Sequence, residues 1–150
     1  MKERPTLSLI DTELLYETLR EHLYLCALAI FKHQAKAPGA IQLYANKCGR
    51  ENCEFCPHFR WKVWKDNFGK WSAYNIEEPL RYARRRDFSP QAREAIILAQ
   101  QILKIRAELV EEITKLRARE RGYMRRLQKA FEGHGHALRI LTNDDDHTAN

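Results

Sequence analysis

Apolar and polar residues follow two different periods in three successive stretches of this chain. Between about Asp11 and Lys36, the residues Leu15, Leu19, Leu23, Cys26 and Ile30 recur at steps of three and four, the spacing of one face of a helix. Asp11 or Ser8 stands where an N-cap is needed, and Glu13, Glu17 and Glu21 lie toward the positive end of the helix. Ala37-Pro38-Gly39 breaks the pattern.

The period changes over 41–76. Phe59, Trp61 and Val63 alternate with Arg60 and Lys62, which predicts a strand up to Trp64. Lys65–Gly69 carries turn residues, and Lys70–Ile76 reads as the returning strand. A lone two-stranded hairpin is marginal in water. It needs a helix against one face and a staple at its base.

Ser89-Pro90, a capping residue followed by proline at the first helical position, opens a third stretch that runs to about Ala130. Unbroken, it would be roughly 60 Å long. Its seam is Leu98, Ile102, Ile105, Leu109, Ile113 and Leu116, then Tyr123 and Leu127. Such spacing suits antiparallel packing on the first helix or a coiled coil with a second copy. The seam outruns the first helix, so its excess predicts a homodimer. Gly122 is a weak point in the pattern. The expected fold class is therefore α+β, mainly α, with a single domain over 1–132 made of helix 11–36, hairpin 41–76 and helix 90–130. Residues 133–150, with the short apolar piece Ala137–Thr142 and the acidic run Asp144–Asp146, read as a flexible tail.

Charge adds a bias. Net charge is +6 over 150 residues, with a pI of about 9.3, so attraction to nucleic acid or another acidic partner is expected. No apolar run reaches the roughly 18–20 residues that span a bilayer. Acidic residues, not a basic start, precede the longest one, Leu23–Phe31. A cytoplasmic location follows, where thiols stay reduced and clustered cysteines point to metal.

The cluster is Cys48-Gly-Arg-Glu-Asn-Cys53-Glu-Phe-Cys56-Pro-His58. Three thiols and an imidazole form a tetrahedral zinc set, and Gly49 and Asn52 allow the turn that folds Cys48 back. Four ligands from one loop are crowded, so Cys26 or water stands as an alternative to His58. The spacing C-x4-C-x2-C also occurs in plant-type ferredoxins, which makes an iron–sulfur cluster a second reading. It lacks the downstream fourth cysteine that pattern uses. The bland alternative is free thiols in a small apolar knot. No phosphate-binding glycine loop, nucleophile turn or deaminase zinc motif is present. A binding module is expected, not an enzyme.

With Gly69-Lys70 opening the second strand and a long charged helix following, the stretch Cys48–Leu127 resembles a widespread, uncharacterised bacterial family of small proteins. Its members carry a Cys-Gly-x-x-x-Cys-x-Cys knuckle, an aromatic strand, a Gly-Lys-Thr hairpin and a trailing helix. Here two residues, not one, separate Cys53 from Cys56, and Pro57-His58-Phe59 stands where His-Gly-Pro-Tyr is usual. The resemblance implies a cysteine-knuckled hairpin, often in mobile-element or phage contexts. It implies no particular activity.

Arg60, Lys62 and Trp64 share one face of the expected strand, where cations can follow phosphate and an indole can stack on a base. Trp61 and Val63 are expected to pack inward. Arg81, Arg84, Arg85 and Arg86 form a second basic group, with only Asp87 nearby to balance it. The later run Arg117–Arg126 is interspersed with acids and reads as a solvated face. The expectation is a zinc-knuckle protein that binds nucleic acid, DNA foremost, in an accessory or regulatory role. A helical protein-interaction adaptor with structural zinc is its rival.

Overall fold

A computed structural model of the chain describes residues 8–137. The acidic run and most of the apolar piece expected in the tail lie outside them. The order is α1 (Leu9–Lys32), β1 (Ile41–Asn46), β2 (His58–Asn67), β3 (Lys70–Ile76), α2 (Pro79–Tyr82) and α3 (Pro90–His134). The fold is α+β and mainly helical. The chain divides after Glu111 into two compact units; the sheet, α1 and α2 all belong to the first. Among the described residues no helix is long and apolar enough to cross a membrane.

Ser8 caps α1: its Oγ accepts from the backbone N–H of Asp11 at 3.2 Å. The helix ends at Lys32, four residues before the expected Lys36. Its buried stripe is Thr12, Tyr16, Leu19, Leu23, Cys26 and Ile30. Leu15, expected in that stripe, is 37% exposed, and Tyr16 takes its place.

The sheet corrects the expected two-stranded hairpin. It has three antiparallel strands in the order β1-β2-β3. Ile41 pairs with Val63, Leu43 with Trp61 and Asn46 with His58, while Trp61 pairs with Ile76 and Asn67 with Lys70. Because paired residues share a face, Ile41, Leu43, Trp61 and Val63 form one buried surface. α1 and α2 contact that side, with the Tyr24 ring edge-on to Phe59 at 5.2 Å and Lys65 reaching over Tyr82. β2 and β3 join through Phe68-Gly69, both at positive φ, the backbone of a two-residue type I′ turn.

Ser89 caps α3 as expected, its Oγ accepting from the Ala92 N–H at 3.3 Å. The helix passes through Gly122 without a break. Of the expected seam, Ile102, Leu109 and Ile113 are buried, whereas Leu98 and Ile105 are half exposed and Ala92, Ile96, Ala99 and Arg106 are buried instead. An arginine thus occupies a core position of this helix.

Candidate metal centre and the open sheet face

β1 and β2 close a loop over Lys47–Pro57. Their last ladder pair, Asn46 and His58, sets Cys48 just beyond one strand and His58 at the first residue of the next. Inside the loop Gly49 (φ 75°) and Asn52 (φ 62°) take left-handed conformations, which glycine and asparagine tolerate best. The Cys56–Pro57 peptide is cis. The metal-ligating set therefore sits in the β1–β2 connection, not at the base of the β2–β3 hairpin.

The Sγ atoms of Cys48, Cys53 and Cys56 and a ring nitrogen of His58 all lie within 4.8 Å of one another. Cys56 Sγ is 3.4 Å from Cys48 Sγ, and Cys53 Sγ is 3.5 Å from His58 Nε2. A tetrahedral zinc ion with bonds of ~2.3 Å to sulfur and ~2.05 Å to nitrogen requires edges of about 3.8 and 3.6 Å. The group is the size that one such ion needs. All four cysteines are unbridged. Cys26, the alternative fourth ligand, is buried on α1 and is not part of this group.

The thiols are not equivalent. The Arg50 backbone N–H, with help from Cys56, holds the Cys48 thiol below its ordinary value. For Cys56 the N–H of Cys48 pulls downward, but burial and the two neighbouring sulfurs outweigh it and the thiol is pushed up. Cys48 is accordingly the readier to give a thiolate, the form that binds metal.

Two side chains that sequence reasoning missed hold the loop from below. Tyr16 donates its hydroxyl to the Phe55 carbonyl at 2.5 Å and packs edge-on to the Phe55 ring. Burial pushes that hydroxyl up, against the Arg106 charge that pulls it down. Arg106, only 5% exposed, donates from Nη1 to the Pro57 carbonyl at 3.0 Å. Its guanidinium lies 4.2 Å from the Tyr16 ring centroid and 5.1 Å from that of Phe59. Burial pulls it below its ordinary value, yet an arginine remains cationic at neutral pH. Among the described residues its Nε and Nη2 have no hydrogen-bond partner. The readable signal was a charge at 106 set between Ile102 and Leu109 on an apolar stripe.

The sheet's other face carries Tyr44, His58, Arg60, Lys62, Trp64 and Trp71, by strand register. Its side-chain contacts run within the sheet: Lys62 Nζ lies 3.9 Å over the Tyr44 ring, Tyr44 bonds Asn75 at 2.7 Å, and Trp64 Nε1 donates to Gln42 Oε1 at 3.1 Å. Arg60 is exposed, and Trp71 is 50% exposed. Trp64, expected to be an exposed contact, is half-buried because its indole leans on Gln42. Trp61 and Val63 are buried as expected.

The arginine run divides by role. Arg85 donates to the carbonyls of Pro38 and Gly39 at 3.1 and 3.2 Å and stacks on Phe88. Gly39 has a φ of 90°, a conformation that glycine tolerates best, and a Cβ there would displace that guanidinium. Arg81 faces Glu78 at 3.9 Å. Arg84 and Arg86 are exposed. Arg85 thus braces the fold, and these two are the open cations of the run.

No protein-family model, curated protein or solved structure matches this chain.

Proposed function

We propose that this is a zinc-knuckle protein that binds nucleic acid, with DNA as its target, in an accessory or regulatory role. The observation that carries the reading is the open sheet face. One side of the sheet buries Ile41, Leu43, Trp61 and Val63, and the other presents Tyr44, Arg60, Lys62, Trp64 and Trp71 beside the ligand His58. Cations at strand spacing follow a phosphate backbone, and aromatic faces stack on unpaired bases. Arg84 and Arg86 add phosphate-binding charge. The Cys48, Cys53, Cys56 and His58 group supports one structural zinc, since its ligand atoms surround room for a single ion better than for a multi-iron cluster. Zinc would fix the start of β2 and with it the register of this face. The resemblance of Cys48–Leu127 to the bacterial knuckle family accords with a mobile-element or phage setting.

The test is titration of single-stranded and duplex DNA by anisotropy at two salt concentrations. Arg60→Ala with Lys62→Ala is expected to weaken binding and to lower the log–log salt slope by about 1.4 on single strands. Absence of binding by wild-type protein at low salt would refute the reading.

A second reading, self-association through the late part of α3, rests on one observation. Tyr123, Met124, Leu127 and Phe131 are each at least half exposed in the second unit. Light scattering across a concentration series distinguishes a homodimer or an adaptor surface from a solvated helix.

A further inference from the structure

A cavity of about 500 Å³ opens between the end of α1, the segment after it, and the sheet. That volume falls among small-molecule sites. Its walls include Phe31, Lys36, Gln42, Trp64 and Trp71, and among the described residues no acidic side chain lines it. From these features we infer that the cavity takes one nucleotide: a base stacked on Trp64 or Trp71, with the neighbouring phosphate at Lys36. The inference rests on the nucleic-acid reading and deepens it.

The lining chemistry narrows the occupant. Trp64 has its indole N–H tied to Gln42 Oε1 at 3.1 Å, so its orientation is fixed and it offers the guest only a π face. Gln34 has both ends of its amide engaged, accepting from the Ile41 N–H at 2.7 Å and donating to the carbonyls of Ile30 and Ile41. Gln42 keeps its amide NH2 without a partner among the described residues, a donor for the edge of a base. Lys36 Nζ lies 5.5 Å from the Phe31 ring centroid, a weak contact that a phosphate would readily replace. An aliphatic guest would leave both polar groups unserved. A quaternary ammonium, the usual guest of an aromatic cage, would be repelled by Lys36 and would find no carboxylate. A planar heterocycle joined to an anion uses all of these features.

The shared chemistry, a base with its phosphate, can come from an unpaired residue of a strand or from a free nucleotide. Trp64 also belongs to the open face that runs through Lys62 and Arg60, so a strand can enter the cavity and continue along the sheet. A single lysine is little charge for a free triphosphate. The strand is therefore the occupant we assign.

The test follows tryptophan fluorescence and anisotropy with zinc-loaded full-length protein. The probes are a thymidine oligonucleotide, the same strand with one abasic site, and the mononucleotides TMP and AMP. Trp71→Ala is expected to weaken strand binding about ten-fold, the worth of one stacked base. Lys36→Glu should weaken it several-fold and lower the salt slope by at least about 0.7. Both residues are exposed, so circular dichroism and metal content should be unchanged. Wild-type protein should also favour the intact strand over the abasic one. Equal strand affinity in wild type, Trp71→Ala and Lys36→Glu would overturn the cavity while leaving the nucleic-acid reading intact. Mononucleotide binding that both variants abolish, without strand binding, would keep the cavity chemistry, assign it to free nucleotides and overturn the wider reading. Binding of none of the probes would overturn both.

Discussion

Replacing Arg106 by methionine tests whether the buried guanidinium and the knuckle depend on each other. Arg106 is 5% exposed and donates to the Pro57 carbonyl, while among the described residues Nε and Nη2 have no partner. Each buried donor left unpaired costs about 1–3 kcal/mol, and the charge itself is penalised by burial. A zinc ion held by three thiolates and a neutral imidazole carries a net charge of −1, which would add to the favourable pull of Glu17 on this cation. For two opposite unit charges about 8 Å apart at an effective dielectric of ~20, Coulomb's law gives roughly 2 kcal/mol, or about 30-fold in metal affinity. Methionine keeps most of the side-chain volume and removes both the charge and the unpaired donors. Arg106→Met is therefore expected to bind zinc about 10- to 50-fold more weakly in competition with a chromophoric chelator. Metal-free protein should meanwhile unfold in urea at an unchanged or higher midpoint. Arg106→Lys, which keeps the charge but not the planar stack on Tyr16 and Phe59, should fall between the two. Unaltered zinc affinity in Arg106→Met, or equal destabilisation with and without metal, would refute the reasoning.

Purified protein should carry about one zinc per chain, and Cys53→Ser should lower that content and loosen the sheet, checked by elemental analysis and circular dichroism. Phe68 is fully exposed with φ of 55° at a turn position that asparagine adopts with less strain. Phe68→Asn should therefore stabilise the protein by up to about 1 kcal/mol; a lowered denaturation midpoint would show that the ring makes a contact worth more than the strain. Arg85→Ala should cost about 1 kcal/mol of stability, discounted for its partial exposure, because it removes the bonds to Pro38 and Gly39. Arg84→Ala with Arg86→Ala should leave stability unchanged and weaken DNA binding, so a urea melt and an anisotropy titration on the same two proteins separate bracing from contact.

The helices were legible because their stripes are long, and misread where a stripe contains residues of mixed character. On α1 the expected and observed stripes share Leu19, Leu23, Cys26 and Ile30, and part only at the start. There Leu15 looks like core and Tyr16 does not, yet Tyr16 is buried because its hydroxyl finds the Phe55 carbonyl. No local pattern carries that information, since the partner lies far along the chain. On α3 the same ambiguity arises from Arg106: a reading that avoids charges takes Ile105 in its place, while the expected and observed seams share Ile102, Leu109 and Ile113.

The missing strand had a wider consequence. Ile41 and Leu43 alternate with Gln42 and Tyr44, a period of two that was present but short and hidden between a glycine break and the cysteines. Without β1 the four ligands look like a crowded loop that needs help from Cys26. With it, the ladder from Ile41–Val63 to Asn46–His58 holds both ends of the loop, and His58 reaches Cys53 as the first residue of β2. The same ladder turns Tyr44, Arg60 and Lys62 to one side. Ligand set and basic face are therefore two results of one register. A one-residue slip would move His58 away from the sulfurs and turn Arg60, Lys62 and Trp64 toward the core. On the proposed reading, metal binding and surface recognition are coupled through β2, so loss of zinc should disturb the face before it disturbs either helix.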